Sequence, residues 1–241
     1  MTQPAPDGPR LGLRANAGQF ALLVGVSGLV GGMVGQERTV LPLLGRDVFG
    51  LDGFAIVLTF LVTFGVTKAL SNLAAGALAD QFGRRPVLIA GWLIGVPVPL
   101  LLIWAPSWAW VVGANVLLGV NQGLTWSTTV TMKIDLVGPT HRGLALGLNE
   151  AAGYVAVAAT ALATGLIAAE AGLRPAPFYL GLAIAGLGLG VSVLFVKETR
   201  GHVELEGRGR ATSVPAPQWR DVAVRTTWRD RSLSAASQAG L

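Results

Sequence analysis

An all-α, polytopic membrane fold is what this sequence predicts, on three observations: long apolar stretches, a scarcity of charge, and basic residues gathered in the gaps between the stretches. Crossing a hydrocarbon core takes about 20 predominantly apolar residues as helix. Six stretches qualify, near residues 18–36, 54–78, 87–104, 109–132, 144–168 and 177–196. Only 13% of the 241 residues are charged and 52% are apolar, whereas a soluble domain carries about a quarter charged residues. The 33 Gly, and 7 Trp against 2 Tyr, suit closely packed membrane helices with aromatic groups at the interfaces. The absence of Cys excludes a disulfide framework and a thiolate metal site.

Residues 1–17 are polar and Pro-rich, with no small-residue cleavage site closing a short apolar core. They read as a cytoplasmic tail before a retained first span rather than as a cleaved signal. Residues 18–200 read as a six-helix bundle, antiparallel because each connector is too short to recross the bilayer. Arg10, Arg14, Arg84, Arg85, Arg142 and the basic residues from Lys197 onward fall on one side, against only Arg38, Arg46 and Arg174 on the other. Lys and Arg accumulate in cytoplasmic loops, so both ends of the bundle are expected inside, in the plasma membrane. The loops near 37–52, 105–108 and 169–176 are expected outside. The net charge of +5 would suit nucleic acid only as a patch on a soluble surface. Here the basic residues lie between apolar blocks, so the lipid bilayer is the expected partner and nucleic acid is not. Beyond Thr199 the chain turns polar, and residues 201–241 read as a cytoplasmic connector. Its end, residues 228–241, reads either as ordinary tail or as a basic anchor leading into a truncated seventh span.

The most specific sequence signal joins the second and third spans: Gly76-Ala77-Leu78-Ala79-Asp80-Gln81-Phe82-Gly83-Arg84-Arg85-Pro86. Gly76 is read as allowing close approach of a neighbour. Gly83 frees the backbone for a tight reversal, and Arg84 and Arg85 anchor in the cytoplasmic leaflet. The segment resembles the loop signature of the major facilitator superfamily, Gly-x-Leu-Ala-Asp-(Arg/Lys)-x-Gly-Arg-(Arg/Lys), departing from it at Gln81. The resemblance implies a six-helix half built as a 3+3 inverted repeat, in which Asp80, Arg84 and Arg85 form a charge-paired latch that breaks as the two halves rock. Glu198-Thr199-Arg200-Gly201, with Leu205-Glu206 after it, is similar to the element that closes such a half in sugar porters and related members. Gly119 stands where proton-coupled members often carry Arg, and the fifth span lacks the Pro of drug antiporters. Both departures weigh against the drug-efflux form of the family.

Ionisable residues inside spans are costly and mark cavities or bundle interiors. Lys68, with Asn72 one turn on, reads either as a cavity cation for an anionic substrate group or as half of a structural ion pair. Asn115, Gly119, Gln122, Trp126, Thr129 and Lys133 recur at steps of four and three, on one helical face. Asn115, Gln122 and Trp126 are candidates for substrate contact, or for hydrogen bonds between helices. Lys133 and Asp135 read as anchors or loop partners at the cytoplasmic end. Glu150, after Asn149, is the candidate for proton coupling, or the partner of Lys133 or of the Arg84 loop. Glu37 and Arg38 read as an interface anchor with no transport role. Gly28 with Gly32, and Gly31 with Gly35, read as helix-packing surfaces. Neither metal-ligand spacing nor a nucleophile or phosphate-binding motif occurs, so no enzyme, cofactor or metal is expected. The resemblance implies a secondary active transporter of a small organic solute working by alternating access. The sequence is expected to hold only the N-terminal half and to need a second six-helix half, from the same gene product or another copy. The alternatives are a non-transporting scaffold or inactive fragment, and a proton-coupled drug antiporter.

Overall fold

In the computed structural model the described residues are 9–208, 224 and 228–232. The chain divides into a unit of residues 1–206 and a second of residues 207–241. The start of the N-terminal tail, much of the connector and the stretch from residue 233, where a seventh span could begin, lie outside the described residues. No strand occurs among those that are described.

The first unit is built from helical rods: α1 (Ala17–Asp47), α2 (Gly53–Ile56) running through a π-helical turn (Val57–Leu61) into α3 (Val62–Phe82), α4 (Arg84–Gly95) continued by α5 (Pro97–Ile103), α6 (Trp108–Val137), α7 (Arg142–Ala171) and α8 (Ala176–Leu194). A short α9 (Arg200–Arg208) follows. The rods formed by α1, α2–α3, α4–α5, α7 and α8 are each long and apolar enough to cross a membrane. With its 30 residues, α6 is about 45 Å long at helical rise, but its Asn, Gln, Thr and Ser residues make it less apolar.

Burial resolves that difference. Asn115, Asn121, Gln122, Thr125, Thr128 and Thr129 are all buried, because α6 is enclosed by α1, α3, α4, α5 and α7. The principal partner of α1 is α7, and that of α3 and α4 is α6. The first three rods therefore pack mainly on the last three, as two interlocked triplets. Leu23, Val30, Met33, Leu88, Trp92, Leu118, Met132 and Phe178 fill the seam.

The first span differs from its sequence reading. It does not stop at Glu37 and Arg38; α1 continues through Pro42 to Asp47. The apolar pattern resumes at Val40 and Leu41, both buried, so helix and packing persist past the two charges. The loop between α1 and α2 is correspondingly shorter. Gly76 also differs: a Cβ there would meet nothing within 4 Å, so its surroundings are open and no neighbour requires a glycine.

Close approach occurs instead between α1 and α7. A Cβ on Gly31 would run into the backbone of Gly153, and one on Gly35 into the Val157 carbonyl and the Thr160 hydroxyl. Backbone cannot yield as a flexible side chain can. Gly31→Ala is expected to destabilise the bundle by about 1–3 kcal/mol in a detergent unfolding titration. Gly25→Ala, which meets nothing within 4 Å, should leave the midpoint unchanged or slightly raised, since Ala outranks Gly in a helix.

Candidate functional site

At the end of the bundle where α3 meets α4, Gly83 closes α3 and opens α4 with φ of 96°, a conformation that L side chains rarely adopt. The reversal leaves the first amides of α4 without intrahelical partners, and Glu198 supplies them. Its carboxylate accepts N–H bonds from Arg84 (3.0 Å) and Arg85 (2.9 Å), and from Thr199 (2.9 Å) and Arg200 (3.1 Å). Burial pushes the Glu198 carboxyl up, but these backbone donors outweigh it and hold it below the ordinary range.

The guanidinium of Arg84 is buried and pairs with Asp80 at 3.0 Å and Asp135 at 3.2 Å, while donating to the Ala79 carbonyl at 3.0 Å. Asp135 also accepts the Thr199 hydroxyl at 2.8 Å. Arg85 donates outward to the Val193 carbonyl at 2.6 Å. Four elements thus meet: the α3–α4 reversal, the end of α6, the end of α8 and the segment after it.

Midway along the bundle an open face carries the second constellation. Lys68, half-buried, makes no ion pair within 4 Å among the described residues. Its ammonium lies 4.7 Å from the Trp126 ring centroid and 5.8 Å from that of Phe64, the geometry of cation–π attraction. The guanidinium of Arg38 lies 5.6 Å from the same Phe64 ring. The Trp126 indole N–H donates to Glu150 at 3.1 Å, and its ring meets Tyr154 edge-on at 5.9 Å. Gly153 makes room for that indole, since a Cβ there would overlap it. One turn beyond Lys68, exposed Asn72 accepts the Ser127 hydroxyl at 2.7 Å. Lys68, Asn72, Trp126 and Glu150 therefore share one accessible face of α3, α6 and α7.

The rest of the polar stripe on α6 turns inward. Gln122 is fully buried and donates to the Val30 carbonyl of α1 at 2.9 Å; Asn115 donates to Val111 at 3.1 Å. Lys133 is not at a wet anchor site. It is fully buried and donates to the Leu23 carbonyl at 3.1 Å and to Ser27 at 2.5 Å. Ser27 donates to Asn149 at 2.9 Å, and Asn149 to Glu150 at 2.8 Å. A hydrogen-bonded chain thus links Lys133 to Glu150 with no direct ion pair. The Arg84 loop is engaged elsewhere, with Asp135. Ser27, Asn149 and the capping role of Glu198 were not legible from residue type. For Lys133 a signal existed, its register with Gln122 and Thr129. Gly119 has its own reason for carrying no Arg: a Cβ there would already meet Thr67 and the Phe64 carbonyl within 3 Å.

A bundle of helices long and apolar enough to cross a membrane, with a charge clasp at one end and ionisable groups on an open face midway along it, suits a membrane transporter. The Major Facilitator Superfamily model matches residues 20–240, and the chain belongs to that superfamily, whose members are transporters. The chain is similar to the tetracycline resistance protein, class C, of Escherichia coli, with 28% identity over 167 residues, covering 69% of this chain and 41% of that protein. It is 27% identical over 168 residues to an uncharacterised MFS-type transporter of Mycobacterium tuberculosis, covering 68% and 40%. It is 25% identical over 214 residues to a probable 4-methylmuconolactone transporter of Cupriavidus pinatubonensis, covering 81% and 49%. The chain spans about two fifths to half the length of these relatives.

Removing Asp135 takes from Arg84 its buried carboxylate and leaves it the exposed Asp80 and the Ala79 carbonyl. Asp135→Ala is expected to cost about 3–5 kcal/mol in unfolding measurements on the purified protein. A cost below about 1 kcal/mol would show the pair to be idle. Glu198 adds a pH dependence. Its folded carboxyl titrates below the unfolded one, so its contribution is complete above the unfolded value and is lost as pH falls through the lowered folded one. Stability should therefore drop on acidification below about pH 4, and Glu198→Gln should remove that part of the acid loss.

Proposed function

We propose that this bundle is one half of a secondary active transporter that moves a small organic solute by alternating access. The solute would lie against the open face of α3, α6 and α7. The observation that carries the reading is Lys68, a cation in midmembrane with no carboxylate in ion-pair contact, held over Trp126 beside Glu150. Such a charge is costly in hydrocarbon and is retained where a cavity or ligand uses it. An anionic group of the solute would take Lys68, and its apolar body would lie on the Trp126 and Tyr154 rings. Glu150 would carry the coupling proton, exchanging with water at the open face while Asn149 and Trp126 hold it in place.

Polar exposure supports a second six-helix bundle opposite this one. Only 18% and 17% of the apolar windows of the α2–α3 and α7 rods are buried. Lys68, Asn72 and Ser127 lie on the surface between them, where lipid would leave their polar groups unsatisfied. A facing bundle would enclose a wet cavity there, with the clasp on its cytoplasmic side and both ends of this half in the cytoplasm of a plasma-membrane protein. The reading is of a carrier, in line with a superfamily of transporters. The drug-antiporter form is less well supported, since Gly119 and the fifth span depart from its pattern.

Benzoate serves as a probe of an aromatic carboxylate, its binding to the purified protein in lipid nanodiscs read by calorimetry. Lys68→Ala should weaken binding at least about tenfold, the value of one charge-assisted contact, and Lys68→Arg should retain most of it. Glu150→Gln should bind benzoate without the wild-type pH dependence. Equal affinity in Lys68→Ala would overturn the placement of the site. Cells producing this chain with no facing bundle should take up solute no faster than controls; robust uptake by a monomer would overturn the two-bundle reading.

A further inference from the structure

Glu37 lies outside the face described above and has a different environment. It sits at the twenty-first position of α1, fully enclosed, and neither carboxylate oxygen accepts a hydrogen bond of acceptable geometry. It borders a small cavity with Val34, Arg38, Phe60, Phe64, Asn115 and Leu118. About 10 Å³ of that cavity is open to water centres, room for about one water molecule. Successive residues on a helix point in different directions, so Arg38 turns to the surface over Phe64 while Glu37 turns in, and the two make no ion pair.

The surroundings leave the carboxyl one way to be neutralised. From α6 the facing polar side chain is the uncharged Asn115; the π-helical turn and α3 contribute Phe60 and Phe64. The Arg38 charge and the Asn115 amide both act on Glu37, and among the described residues neither forms an ion pair or a well-aligned hydrogen bond with its carboxylate. Lys68 on α3, Lys133 on α6 and Glu150 on α7 make no ion pair with it. A metal cation would need several oxygen ligands, and the cavity offers Glu37 and Asn115 alone. A buried carboxylate with one amide beside it, no well-formed hydrogen bond and no cation in ion-pair contact takes up a proton instead.

We propose that Glu37 is a second proton-carrying site of this protein: it holds a proton in the closed cavity seen here and gives it up when the cavity opens to water beside Arg38. In the first state the carboxylate has gained one proton from water. In the second that proton returns to water on the opened side, and the exposed guanidinium of Arg38 stabilises the anion left behind. Proton binding at Glu37 stands independently of the solute site; only its use in transport rests on the carrier reading.

Infrared spectroscopy on the purified chain in lipid nanodiscs in heavy water tests the assignment. At neutral pH the wild-type protein should show the carbonyl stretch of a protonated carboxyl group. The band should vanish in Glu37→Gln, with helical circular dichroism retained, and persist in Glu150→Gln. A wild-type spectrum without the band, or its full retention in a folded Glu37→Gln, would overturn the proposal. Should Glu37→Gln fail to fold, carbon-13 labelling of glutamate in the wild-type chain decides. A protonated side-chain carboxyl signal at neutral pH that persists in Glu150→Gln supports the proposal; signals all of ionised type overturn it. Benzoate binding lost with the band intact would sink the solute site alone.

Discussion

A stripe of amides and hydroxyls cannot face hydrocarbon, and α6 carries such a stripe. Its amides and hydroxyls need partners that lipid does not offer, so the other rods are arranged to supply them. Gln122 donates to the Val30 carbonyl of α1, Asn121 to the Gly91 carbonyl of α4, and Lys133 to Leu23 and Ser27 of α1. Glycines make those approaches possible. A Cβ on Gly91 would meet Thr125, one on Gly95 would meet Asn121, and one on Gly123 would meet Ser71 and the Lys68 carbonyl. Gly91, Gly95 and Gly123 are therefore tied to the polar stripe of α6.

The same helix connects the two functional regions. Trp126 and Asp135 are nine residues apart on α6, about 13.5 Å along its axis. One contributes the platform under Lys68 and the other the carboxylate that buries Arg84. Between them lies Lys133, joined through Ser27 and Asn149 to Glu150. A rigid-body tilt of α6 would be felt at the Lys68 face and at the Arg84 clasp together, and the proposed carrier would use that coupling to tie its gate to its binding site.

Much of this was legible in the sequence. Long apolar runs give the rods, because the length of a span is set by the bilayer rather than by tertiary contacts. The Gly83 turn was legible because a positive φ demands a residue type, whereas Arg84, read as a leaflet anchor, is buried between Asp80 and Asp135. Residue type fails where a polar side chain has two ways to be satisfied. Asn115 and Gln122 have the register of cavity residues, yet α1 takes them into the packing; Trp126 on the same stripe stays accessible because Gly153 makes space beside it. Glu37 looked like the end of a helix, since two adjacent charges ordinarily mark an interface. Only the continuation of α1 through Pro42 places its carboxylate inside. Lys133 was misread for the same reason: nearness to a span's end does not specify the depth of packing.

The central claim is that the face shared by α3, α6 and α7 borders water and not lipid. Because the sequence contains no Cys, single cysteines can be placed at will and probed in native membranes with a membrane-impermeant maleimide. The account predicts rapid labelling of Asn72→Cys and Tyr154→Cys, and none of Leu187→Cys on the exposed apolar flank of α8. Equal protection of all of them, or labelling at Leu187→Cys alone, would contradict it.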